Sequence, residues 1–172
     1  MPHEEQNDAL KRNNKIAIER YKFAIECFKE HKKVIADLGC GMGYGTQLLK
    51  DAGHIVEGFD NNEDAIEYAR KNYPGVYNIE DLEEKPFYNF DAGVCLEALC
   101  HLKDPKKFID NNNIKEMVVS APIDPNPDDG YFYRLHNFSE KQFKNLFKDW
   151  EIVNEKWQGN KQKYLIIHIK RK

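Results

Sequence analysis

Val34-Ile35-Ala36-Asp37-Leu38-Gly39-Cys40-Gly41-Met42-Gly43-Tyr44-Gly45 decides the fold of this chain. An apolar run ends in an acid, and glycine then recurs at alternate positions. Such a run reads as a buried parallel strand. The glycines read as a loop whose backbone must approach a ligand closely, because glycine has no Cβ and tolerates positive φ. A helix from roughly Gly43 to Ala52 follows, its N-terminal amides aimed at the same place. A nucleotide-like ligand is expected in the crevice beyond the carboxyl end of this strand.

The spacing narrows that ligand. A dinucleotide fingerprint requires G-x-G-x-x-G. Counting from Gly39, the third glycine falls on Tyr44; counting from Gly41, it falls on Thr46. Both registers fail, which disfavours an NAD-linked dehydrogenase, and no Walker G-x-x-x-x-G-K-[ST] string exists. The string present, Asp37-x-Gly39-x-Gly41-x-Gly43, resembles the glycine-rich motif of class I S-adenosylmethionine-dependent methyltransferases.

Further segments are similar to that family. Ile55-Val56-Glu57-Gly58-Phe59-Asp60 resembles its second strand, ending in the acid that holds the ribose hydroxyls. An ionised carboxylate suits a vicinal diol because it only accepts hydrogen bonds. Val76–Ile79 followed by Glu80-Asp81-Leu82 resembles the third strand and the turn near adenine. Phe90–Glu97 resembles the fourth strand, and Glu97-Ala98-Leu99-Cys100-His101-Leu102 resembles an E-x-x-E-H-L string in which Cys100 replaces an acid. Arg20-Tyr21-Lys22-Phe23-Ala24 resembles a stretch found ahead of the glycine loop in a subgroup linked to small-molecule, sugar and glycan methylation. The resemblance implies S-adenosyl-L-methionine as cofactor, S-adenosyl-L-homocysteine as product, and a cofactor set of Asp37, Gly39, Cys40, Gly41, Gly43, Asp60, Asn61, Asp81, Leu82 and Leu96.

Strand-like and helix-like segments alternate along the chain. A helix is expected over about Asp8–Lys29, strands at Lys33–Leu38, His54–Phe59, Val76–Ile79, Ala92–Glu97 and Glu116–Ser120, and helices at Asn62–Asn72 and from Asp104 or Pro105 to Asp110. This order predicts an α/β, doubly wound, mostly parallel sheet in a single domain spanning 1–172. Ala121–Gly130 reads as irregular, being rich in proline, aspartate and glycine. Ser139 with Gln142 predicts a capping box for a helix through Lys148. Glu151–Gln158 and Lys163–Lys170 read as two strands about the turn Gly159-Asn160. The resemblance implies that these close a seven-stranded, Rossmann-like sheet with an antiparallel C-terminal strand. The short, asparagine-rich Lys103–Asn113 makes this a compact variant, with room for a homodimer contact or for a wide acceptor opening.

Net charge is −3, with 32% charged and 41% hydrophobic residues. That is the balance of a folded soluble domain. It supplies no general basic field for a nucleic-acid backbone. The N-terminus Met1-Pro2-His3-Glu4-Glu5 lacks the basic and apolar regions of a signal peptide. No stretch approaches the ~20 apolar residues of a membrane span. Cys27, Cys40, Cys95 and Cys100 form no C-x-x-C pair, so a zinc site is not expected; two disulfides are formally possible, but nothing else suggests secretion. The reading is a cytoplasmic, reduced protein with a small-molecule or sugar-linked acceptor, no nucleic-acid or membrane partner and no metal.

Methyl transfer from a sulfonium is an in-line displacement, in which positioning supplies much of the rate. A sugar hydroxyl is barely ionised at neutral pH, so a general base helps, and histidine suits that task. His101 lies just after the fourth strand. His136 lies in Tyr131–Ser139, a segment similar to the subgroup's H-x-R-E-F-[ST] stretch but with Arg134 and His136 exchanged. Both are candidate bases; both also read as turn or cap residues. Glu97, Tyr133 and Arg134 are the candidate acceptor contacts. Two other readings stay open: a degenerate module that binds the cofactor without turnover, and an N-methyltransferase of the same fold. Cys95-Leu96-Glu97-Ala98 lacks the [DNS]-P-P-[YFW] string of base-amine enzymes, which argues against methylation of DNA or RNA bases.

Overall fold

A computed structural model describes residues 3–124, 134–160 and 162–172, with backbone alone for 3–14. The elements are α1 (His3–Phe28), β1 (Val34–Leu38), α2 (Tyr44–Asp51), β2 (Ile55–Asp60), α3 (Glu63–Asn72), β3 (Val76–Ile79), β4 (Ala92–Leu96), a 3-10 turn at Leu99–His101, α4 (Pro105–Asn111), β5 (Glu116–Ile123), α5 (Glu140–Asn145), β6 (Trp150–Gln158) and β7 (Lys163–Arg171). One seven-stranded sheet has the order β3-β2-β1-β4-β5-β7-β6. The first five strands run parallel, and β7 lies antiparallel between β5 and β6. Strand order reverses between β1 and β4, which opens a ligand crevice at their carboxyl ends.

Alternation along the strands divides the core into two layers. Ile35, Val118 and Ile166 face α1 and α2, and pack with Tyr21, Phe28 and Leu49. Ala36, Met117, Val119, Leu165 and Ile167 face the other way, onto Phe108, Phe143 and Phe147. No helix links β3 to β4; Leu82, Phe87 and Phe90 pack on that face instead, with Phe87 edge-on to Phe59 at 4.9 Å. Asn62 caps α3 by accepting from the Ala65 amide at 3.0 Å, and Asp104 caps α4 by accepting from Lys107 at 2.9 Å.

Three boundaries depart from the expectation by three residues or more, one being the start of α1, at His3 and not about Asp8. β5 continues through Ala121-Pro122-Ile123, which the proline content had read as irregular. The amide of Glu97 donates to the Ser120 carbonyl, so Ser120 faces β4 and, by alternation, Pro122 faces the same side. There β4 has already ended at Leu96, so proline's missing N–H deprives no partner, while Pro122 still pairs in register with Tyr164 of β7. The capping box at Ser139 forms as expected, but α5 stops at Asn145. The amides of Phe147 and Lys148 then close tighter three-residue turns onto Lys144 and Asn145. These bring Phe147 and Trp150 into the core. Residues 125–133, including the rest of the proline-rich stretch, lie outside the described residues.

Candidate cofactor and acceptor site

The loop after β1 turns on Gly39, whose φ is 81°. The amides of Gly39 and Cys40 both donate to the Phe59 carbonyl, at 2.8 and 3.0 Å, which ties the loop to the end of β2. A side chain at Gly39 would meet the Ala98 Cβ at 2.7 Å. Asp60 completes the tie: one carboxylate oxygen accepts from the Gly41 amide at 2.8 Å, the other from Asn62 at 2.9 Å. A carboxylate offers about four acceptor positions. These two amides take two of them, and Asp60 also borders the cavity at the crevice.

Asp37 does not border it. It is buried beneath the loop, where Thr46 Oγ1 donates to it at 2.6 Å and Tyr21 Oη at 3.0 Å. Burial lifts its carboxyl to about 7, against the lowering pull of those two hydrogen bonds. Asp37 therefore joins the loop, α2 and α1. Gly45 lets α1 come this close: a Cβ there would stand 1.9 Å from the Tyr21 ring. Cys40 turns away as well, its side chain packing with Ile66, Ala69 and Tyr77 under α3.

Two cavities meet at the crevice. The first, about 330 Å³, is bordered by Gly39, Asp60, Asn61, Asp81, Leu82, Leu96, Glu97, Ala98 and His101, among others. Asp81 is fixed there by accepting from the Glu83 amide at 2.9 Å. The second, about 260 Å³, is bordered by Ile16, Ala17 and Arg20 of α1, with Tyr44, Glu97, Cys100, His101, Pro122, Arg134 and Tyr164. Glu97 and His101 border both.

Glu97 is built into this junction. Its φ of 62° is unusual for a residue with a side chain. Ser120 Oγ donates to its carboxylate at 2.8 Å, and the Glu97 amide donates back to Ser120 Oγ at 3.1 Å. The Arg20 guanidinium stands 3.8 Å away. Burial raises the Glu97 carboxyl above its ordinary range, and the charge of Arg20 and the Ser120 hydrogen bond oppose the rise. Backbone strain of this kind is maintained where surrounding contacts over-determine it.

The candidate bases separate. His101, in the 3-10 turn, borders both cavities and is exposed. His136 borders neither. Its Nε2 lies 2.9 Å from the Leu102 carbonyl, and its ring stacks on Phe138 at 5.5 Å. With the Cys100 carbonyl accepting from the His136 amide, this anchors the returning chain to the 3-10 turn. Arg134 borders the acceptor-side cavity; Tyr133 lies outside the described residues. Arg20 and Ser120 were not among the expected site residues. A buried-face arginine in an amphipathic helix needs a partner, and that signal could have flagged Arg20. Ser120 interrupts an apolar strand at the level of Glu97.

Residues 36–113 match a family model described as a methyltransferase domain. The ubiquinone biosynthesis O-methyltransferase of Coxiella burnetii is 34% identical over 86 residues, covering 46% of this chain and 37% of that protein. The Hydrogenovibrio crunogenus protein of the same name is 32% identical over 110 residues, covering 59% and 44%. The aligned part thus spans less than half the length of these curated relatives. The solved PH0226 protein of Pyrococcus horikoshii OT3 superposes with a TM-score of 0.74 at 18% identity, covering 91% of this chain and 90% of that one. Magnesium protoporphyrin IX methyltransferase of Synechocystis PCC 6803, with bound SAH, gives 0.75 at 14% identity, covering 100% and 89%. The domain-family match falls on the strands and loops that build the first cavity, and the fold agreement extends over the remaining strands. Residues 36–113 thus resemble a methyltransferase domain in sequence, and the seven-stranded sheet as a whole has the fold of a solved S-adenosylhomocysteine-bound methyltransferase.

Proposed function

We propose that this protein binds S-adenosyl-L-methionine in the first cavity and methylates an oxygen of a small or sugar-linked acceptor held in the second. The observation that carries this reading is that the two cavities meet at Glu97 and His101. Asp60 accepts the ribose hydroxyls in this reading, its remaining acceptor positions suiting a diol. Asn61, Asp81 and Leu82 border the adenosine, and the Gly39–Gly43 backbone closes beneath it. The cofactor supplies a methyl group on a sulfonium whose thioether leaves without a proton. His101 takes the acceptor's hydroxyl proton, and Glu97, held by Ser120, orients the acceptor at the junction. His136 is an anchor for the 3-10 turn on this reading, not a base. The names of the curated relatives support oxygen as the accepting atom. Among the described residues no helix is long and apolar enough to cross a membrane, and all four thiols are free, which suits the cytoplasm.

The test begins with a thermal-shift titration against S-adenosyl-L-homocysteine, with NAD as control. A ligand at ~100 times its dissociation constant adds about 2.7 kcal/mol of stability. For a domain of this size that is roughly 5–10 °C. Radiolabelled methyl transfer to a panel of nucleotide sugars and catechols follows. Turnover that His101→Ala lowers by roughly 10²-fold or more, with homocysteine-ligand affinity unchanged, supports the assignment. Binding without transfer to any acceptor favours a degenerate module.

A further inference from the structure

We infer that the acceptor carries an anionic group, a carboxylate or a phosphate, held in the second cavity by Arg20 and Arg134. This rests on the methyltransferase reading above and names the chemistry of its acceptor.

Arg20 is only 6% exposed. A buried guanidinium is costly unless it is paired, and Arg20 is held from three sides. Its Nε donates to Gln158 Oε1 at 2.9 Å, and its planar face lies 4.2 Å from the centre of the Tyr164 ring. Both contacts fix the plane of the fork, and its Nη1 forms an ion pair with Glu97. The facing carboxylate oxygen, Glu97 Oε1, is 3.8 Å from Nη1, beyond hydrogen-bond length, and already accepts from Ser120. A rigid guanidinium with terminal donors at a cavity wall is the arrangement that recognises carboxylate and phosphate oxygens.

Location assigns the anion to the acceptor and not to the cofactor. Arg20 and Arg134 both border the second cavity, and neither borders the first. The chain carries net charge −3, so two arginines beside one carboxyl, Glu97, on one small cavity are a local feature, not part of a basic surface. Tyr44 and Tyr164 line the same cavity and suit a ring beside the charged group. A cavity of about 260 Å³ accepts a small acid, or the charged end of a larger acceptor whose hydroxyl reaches His101.

Calorimetric titration of the full chain tests this, with and without S-adenosyl-L-homocysteine. One probe set is phenol, 4-hydroxybenzoate and 4-hydroxyphenyl phosphate; the other is glucose, glucuronate and glucose 6-phosphate. In at least one set a charged member is expected to bind at least about tenfold tighter than its neutral parent, as charge-assisted hydrogen bonds provide. Which charged member gains identifies carboxylate or phosphate. Arg134→Gln is expected to erase the preference while homocysteine-ligand affinity stays within about twofold. Arg20→Lys, which keeps the charge and loses the fork, is expected to weaken the preference in a chain that still folds. Equal binding of charged and neutral members, no binding by any member, or a preference that survives Arg134→Gln overturns the inference. So does a variant that loses cofactor affinity and keeps the anion preference. If the homocysteine ligand fails to bind but the preference stands, the methyltransferase reading falls and the anion site remains.

Discussion

Asp60 shows how far a single residue can be read. The family resemblance implied that the acid ending the second strand holds the ribose hydroxyls. The structure adds that its two oxygens also tie Gly41 and Asn62 in place. Asp60→Ala is therefore expected to weaken homocysteine-ligand binding by about 1.5–3 kcal/mol, the range for hydrogen bonds to a charged group. Calorimetry reads this directly, and unchanged affinity would remove the ribose assignment. Asp37 was less legible. Its place in the glycine string suggested a ligand contact, but the strand's alternation turns its carboxylate under the loop, onto Tyr21 and Thr46. Sequence spacing cannot reveal such an inward turn, because it depends on how closely α1 approaches. Arg20 was hidden for the same reason, its partners Gln158 and Tyr164 lying far along the chain. His101 and His136 looked alike in sequence; the cavities separate them, since His101 borders both and His136 neither.

At the scale of elements, local signals held where the backbone chemistry was self-contained. The Ser139 capping box and the alternation of β-strands with helices follow from neighbouring residues. They failed where a distant partner decided. β5 passes through Pro122 because β4 ends one step earlier and β7 continues alongside. α1 docks on α2 because Gly45 leaves room for the Tyr21 ring. Gly45→Ala is accordingly expected to cost about 1–3 kcal/mol by overpacking. Urea unfolding of Gly45→Ala, Tyr21→Ala and the double variant checks it. The double variant should lose less than the sum of the two singles, since removing the Tyr21 ring relieves the clash that Gly45→Ala creates. Strict additivity would mean that α1 does not rest on this contact. The same docking carries Ile16, Ala17 and Arg20 to the second cavity, so a loosened α1 is also expected to lower acceptor affinity more than cofactor affinity.

Across the whole molecule, buried carboxylates at opposite ends of the sheet set opposing pH dependences. Glu116, at the start of β5, receives hydrogen bonds from His168 Nε2 at 2.7 Å and Lys33 Nζ at 2.8 Å. Burial raises its carboxyl, but these bonds and the charges of Lys33 and Lys170 outweigh burial and hold it at about 2. Below the ordinary carboxylate range the unfolded chain binds this proton more readily than the folded one. Stability from Glu116 is thus present above about pH 4.5 and is lost as pH falls towards 2. Asp37 has the reverse sign. Its carboxyl, raised from 3.8 to about 7, holds a proton in the fold that the unfolded chain has released. Its contribution is full below pH 3.8 and is lost as pH rises through about 7. The raised Glu97 carboxyl acts in the same direction as Asp37. Together they predict a stability maximum on the acid side, at about pH 4–5, with a decline towards neutrality. Denaturant unfolding across pH 2–8 would show both limbs. Asp37→Asn should flatten the limb above the maximum, and Glu116→Gln the limb below it. If wild type and Asp37→Asn ran parallel between pH 4 and 7, burial would not outweigh the Thr46 and Tyr21 hydrogen bonds at Asp37, and the raised carboxyl would be refuted.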